Sequence, residues 1–80
     1  MKTTERITWK QIKPGMRVIL HDGLESIEAT VTSRTTSRDG LTDIEKRDLD
    51  GRGNVGYVLK TNRGTWILDK TAMITRVHGR

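Results

Sequence analysis

Apolar and polar positions alternate along several short stretches of this chain, and the clearest is Val55 to Asp69, VGYVLKTNRGTWILD. Val58 and Leu59 stand before Thr61-Asn62-Arg63-Gly64, and Trp66, Ile67 and Leu68 stand after it. Asn tolerates turn conformations and Gly accepts positive φ, so a type I turn closed by a left-handed Gly64 joins two predicted strands. That loop pairs Leu59 with Ile67 and Lys60 with Trp66. Upstream, Met16 to Leu20 sends Met16, Val18 and Leu20 to one face and Arg17, Ile19 and His21 to the other. Ile27 to Ser33 repeats the pattern with Ile27, Ala29 and Val31, as a half-buried antiparallel strand does. Met73 to His78, with Ile74 and Val77 apolar, is the last predicted strand.

Helical signals are short. Thr8 and Gln11 form a capping-box pair with Ile7 and Ile12 as a staple, and Pro14 limits the helix to one turn. Lys13-Pro14-Gly15-Met16 has the order of a type II turn, and Asp69 can cap a turn through Lys70-Thr71-Ala72. Met1 to Arg6 and His78 to Arg80 read as loose ends. Residues 35–54 are polar and turn-rich. Their second capping-box match, Thr42 to Glu45, opens a helix too short to persist alone, and Ile44 and Leu49 do not share a face. Either the flanking strands extend into a longer hairpin or the segment is a mobile arm, and the arm is the reading adopted.

Composition narrows the class. Eighty residues make one domain with a thin core and no deep cleft. No Phe, two Trp and one Tyr, beside plentiful Val, Ile and Thr, favour strands. The absence of cysteine removes disulfides and thiolate metal sites and points to a reducing, cytoplasmic setting. Neither a signal-peptide core nor an apolar run of membrane-spanning length is present. The net charge of +5 is uneven: +2 over residues 1–34, −1 over 35–55 and +4 over 56–80. A basic surface is the footprint of a polyanion partner, and equally a device for solubility.

The succession of a helical turn, Pro-Gly, two strands, a hairpin, a one-turn helix and a last strand resembles the SH3-like small β-barrels, which include KOW and Tudor-like modules. Lys13-Pro14-Gly15-Met16-Arg17-Val18, the alternation from Ile27 to Val31, the Gly64 turn and Asp69 to Met73 carry the resemblance, which spans about 60 residues from Trp9 to Val77. It implies a mainly all-β fold: a five-stranded antiparallel barrel with one or two short helical turns and a long polar loop. The KOW glycine spacing is absent, and Trp9, Tyr57 and Trp66 assemble neither a methyl-lysine cage nor a proline groove. In size and basicity the chain is also similar to phage-encoded accessory proteins.

For catalysis, His21-Asp22 is the one base-and-carboxylate pair, and a strand end followed by a turn explains it better. Asp48, Asp50 and Asn54 invite a calcium reading, but the glycine comes too early for an EF-hand loop and Arg52 interrupts the ligands. The chain is therefore read as a non-enzymatic binding module without cofactor, metal, membrane or small-molecule substrate. Its candidate nucleic-acid-binding residues are Lys60, Arg63 and Trp66 on the hairpin, with Arg17, Arg34 and Arg76 on neighbouring strands. An aromatic flanked by cations stacks bases and meets phosphates; with the hairpin faces reversed, Trp66 is a core residue instead. The alternative function is a protein-interaction module using a sheet edge or the 35–54 segment, as a monomer or a small homo-oligomer.

Overall fold

The computed structural model describes residues 3–78. Six strands form one antiparallel sheet: β1 (Thr3–Ile7), β2 (Arg17–Asp22), β3 (Glu25–Thr35), β4 (Gly56–Thr61), β5 (Gly64–Asp69) and β6 (Ile74–His78). Their order across the sheet is β1-β6-β2-β3-β4-β5, and it is open, so the five-stranded closed barrel expected from the sequence is corrected to six strands with free outer edges on β1 and β5. The additional strand is β1, expected as a loose end. It pairs with β6 from Thr3 opposite His78 to Ile7 opposite Ile74. Only Ile7 of β1 is buried, so backbone pairing and not an apolar face holds this strand, and alternation could not reveal it. The expectations for Met1, Lys2, Gly79 and Arg80 lie outside the described residues.

The inward faces of the two middle strands follow the alternation. Val18 and Leu20 of β2 and Ala29 and Val31 of β3 join Ile7, Ile12, Tyr57, Leu59 and Ile74 in the main core, with Trp9, Met16, Trp66 and Leu68 packed against it. The one-turn helix at Trp9–Gln11 starts as the capping pair predicts, with the Thr8 N–H donating to Gln11 Oε1 at 2.9 Å. Gly15, at φ +93°, makes the Pro-Gly turn into β2, closed by the Met16 N–H on the Lys13 carbonyl at 3.3 Å.

The hairpin register differs from the expected one by one residue: Leu59 faces Trp66, Lys60 faces Thr65, and Thr61 faces Gly64. The Thr61 hydroxyl accepts from the Arg63 N–H and donates to the Gly64 carbonyl, both at 3.0 Å, which tightens the loop to Asn62-Arg63. A one-residue slip exchanges the faces of a whole strand. Trp66 thereby turns to the core side beside Leu59, and Lys60 lies on the opposite face.

Segment 35–54, expected as an arm, begins with the end of β3 and contains helix α1 (Asp43–Gly51) and a 3-10 turn at Gly53–Val55. Thr42 Oγ1 accepts from the Glu45 N–H at 3.2 Å, and the Thr42 N–H donates to Glu45 Oε1 at 2.9 Å. Leu49 does not need Ile44 as a neighbour on the helix. It packs with Leu41, Val58 and Ile67 in a second small core on the outer face of β4. Tyr57, Val58 and Leu59 are consequently all buried, on both faces of β4. Arg52 ties the helix end to β5 through Asp69 at 2.6 Å, with Asp48 at 3.4 Å, and the Asp69 hydrogen bond leads in raising the guanidinium pKa.

Gly56 allows this approach. A Cβ there would stand 2.9 Å from Arg52 Cβ and 3.1 Å from Leu49 Cδ1, too near for either to yield without moving the helix end. Gly56→Ala is expected to cost about 1–3 kcal/mol, measured by thermal denaturation, while Gly51→Ala, whose Cβ meets nothing within 4 Å, lacks that steric cost. Equal losses in the two variants would argue against a close helix–strand contact. Among the described residues, no helix is long and apolar enough to cross a membrane.

Candidate nucleic-acid interface

A bulge decides where the main cationic cluster forms. Between Val31 and Ser33 the β3–β4 register shifts, so that Val31 faces Thr61 while Ser33 faces Lys60 and Arg34 faces Leu59. The extra residue, Thr32, reverses which face the following side chains take. Arg34 therefore turns towards the inner side of the sheet, over the one-turn helix. Its guanidinium lies 4.9 Å from the Trp9 ring centroid, and Nη1 donates to the Trp9 carbonyl.

Lys70 reaches the same ring from the turn after β5, with Nζ 4.8 Å from the centroid. Its backbone N–H is held by the Val55 carbonyl at 2.5 Å, so the end of β5 positions it. The Tyr57 ring supports Trp9 from the core, 5.7 Å between centroids and tilted by 31°. Burial raises the Tyr57 hydroxyl to a pKa of about 12, with the nearby Arg34 charge opposing. Each cation–π contact contributes roughly 0.5–2 kcal/mol. Neither Arg34 nor Lys70 has a carboxylate partner among the described residues, so two like charges meet at one indole. An anion placed there would offset that repulsion.

Lys70 also lines an open cavity of about 470 Å³ whose wall includes Thr36, Arg38, Asn54, the apolar Leu49 and the acid Asp50. The acids nearby are engaged: Asp50 pairs with Arg38 at 3.0 Å, and Asp48 with Arg52. These are the carboxylates of the sequence-based calcium reading. No group of three or more His, Cys, Asp or Glu is placed to hold a metal among the described residues. His21 Nδ1 lies 3.2 Å from the Ser26 hydroxyl.

The other expected site residues are dispersed. Arg17 pairs with Glu28 at 2.8 Å. Arg63 is exposed at the hairpin tip, beside Asn62, whose Oδ1 accepts from the Thr30 N–H at 2.9 Å. Since Thr30 faces Arg17, the tip and Arg17 approach the same part of β3. Lys60 lies on the α1 side, where a Cβ on Gly40 would be 3.2 Å from its Nζ. Trp66 packs against the main core, the alternative that the sequence left open for it, so it and Lys60 form no shared surface. Arg76, on β6, faces Val18 and Glu5 in the pairing register. Comparison with protein-family models, curated proteins and solved structures gives no match to this chain. Of the expected residues, only Arg34 enters the Trp9 cluster.

Trp9 and Lys70 were missed as site residues. They lie 61 positions apart, and no local pattern joins a capping-box helix to a strand end. The available signal was the charge excess of the C-terminal third, to which Lys70 belongs.

Proposed function

We propose that the protein is a non-enzymatic nucleic-acid-binding module, working in a reducing interior, that grips the phosphate backbone at the Trp9 cluster. The observation that carries this reading is the convergence of Arg34 and Lys70 on one indole, with no carboxylate pairing with either among the described residues. Exposed Lys10, next to Trp9 in the chain, adds a third cation. The indole already holds two cations and leans on Tyr57, so its role is to fix the charges; phosphate contact, more than base stacking, supplies the affinity. We also read the run β6-β2-β3-β4-β5 as an opened relative of the SH3-like small barrels, with β1 added at β6; the Pro-Gly entry into β2 and the β4–β5 hairpin support that kinship.

Binding of a labelled single-stranded oligonucleotide, followed by fluorescence anisotropy over a salt series, tests the function. Three to four neutralised phosphates give a log–log slope near −2 to −3, or a roughly 15–60-fold loss of affinity for a fourfold rise in salt. Arg34→Gln and Lys70→Gln should each weaken binding and reduce the slope by about 1. A salt-independent affinity, or variants that bind like the parent, overturns the proposal.

A further inference from the structure

Where the sheet stays open, β2, β5, the start of β6 and Arg6 of β1 border a groove of about 410 Å³. Leu20, Trp66, Leu68 and Ile74 line it, with Met73, itself 48% exposed, beside them. Among the described residues that line the groove, Arg6 is the one Lys or Arg, His21 stands beside it, and none is Asp or Glu. It therefore suits an apolar side chain followed closely by an acid.

The chain displays such a pair. The β2–β3 turn carries Leu24, fully exposed, followed in sequence by the exposed Glu25. Burial of a leucine from full contact with water is favourable, yet Leu24 belongs to neither core of its own chain. Gly23, at φ +64°, sets the turn that presents it. Leu20, in the groove wall, lies on the strand that leads into this turn, so plug and socket occupy the same end of the sheet. That placement lets a two-fold axis exchange both at once, each turn entering the other subunit's groove.

We propose that the groove is the socket for Leu24 of a second copy of this chain, with Glu25 of each copy pairing with Arg6 of the other. The plug–socket residues are separate from Trp9, Arg34 and Lys70, so this dimer stands or falls independently of nucleic-acid binding.

Sedimentation equilibrium of the full chain over a wide concentration range tests it. The expected result is a species of twice the chain mass, and a dimer weakened roughly a hundredfold by Leu24→Ser because the side chain is buried twice. Circular dichroism melts of Leu24→Ser check that the fold is kept. Arg6→Glu and Glu25→Arg should each weaken the dimer, and the double variant should restore it. A wild type that is monomeric at every concentration, a Leu24→Ser variant that dimerises like the parent, or a double variant that stays weak overturns the proposal.

Discussion

Leu59→Ala should lower the unfolding free energy by about 3–5 kcal/mol. Leu59 is wholly buried in the main core, on a strand covered on both faces, and it stands between Arg34 on β3 and Trp66 on β5. Its neighbours are fixed by two ladders and cannot collapse into the space left behind, so the cavity cost adds to the lost transfer energy. A domain of this length has roughly 4–12 kcal/mol in total. The variant should therefore lose a quarter or more of the total, as read by urea denaturation with circular dichroism. Ile44→Ala, at a residue 80% exposed on α1, should change stability by less than about 0.5 kcal/mol. Similar losses at the two positions would contradict the buried, doubly covered β4.

The second large effect is alkaline. Tyr57 is buried, its hydroxyl has no hydrogen-bond partner among the described residues, and burial raises its pKa to about 12. The unfolded group titrates near 10. Below pH 10 both states keep the proton and this group leaves stability unchanged. Between pH 10 and 12 the unfolded state loses its proton first, which draws the equilibrium towards unfolding and removes about 2–3 kcal/mol by pH 12. Tyr57→Phe abolishes that contribution and also removes a buried hydroxyl without a hydrogen-bond partner among the described residues, so it should stabilise the protein by about 1 kcal/mol at neutral pH. Denaturation from pH 7 to 12 compares the two proteins. A stability difference that stays constant across that range would show that Tyr57 titrates as it does in water.

The legible parts of the fold were those that buried one face of a local segment. Val18 and Leu20 on β2 and Ala29 and Val31 on β3 are buried as their spacing implied, and the apolar Ile74 and Val77 of β6 are buried too. The Pro14-Gly15 turn and both capping boxes formed where their residues stood. β1 was invisible because a polar edge strand needs only backbone partners. Helix α1 looked too weak because its anchors are Leu41, Val58 and Ile67, none of which lies on the helix.

The candidate site was less legible. The hairpin loop closed one residue tighter than its Asn-Arg-Gly chemistry suggested, and that single step separated Trp66 from Lys60. The Thr32 bulge then turned Arg34 to the inner side, where Trp9 and Lys70 arrive from the two ends of the chain. Neither a one-residue register step nor a bulge leaves a compositional trace, because each depends on hydrogen bonds between strands.

By itself, the amino-acid sequence determined a β-rich chain with an excess of cations, its Pro-Gly turn, its hairpin and the inward residues of its middle strands. Those features follow from the two-residue period of a strand and from local turn chemistry. Only the tertiary structure decided the sixth strand, the open seam, the two-sided burial of β4 and the meeting of Arg34 and Lys70 at Trp9. Strand register and the path of the sheet settle these, and both arise from pairing between segments distant in the chain.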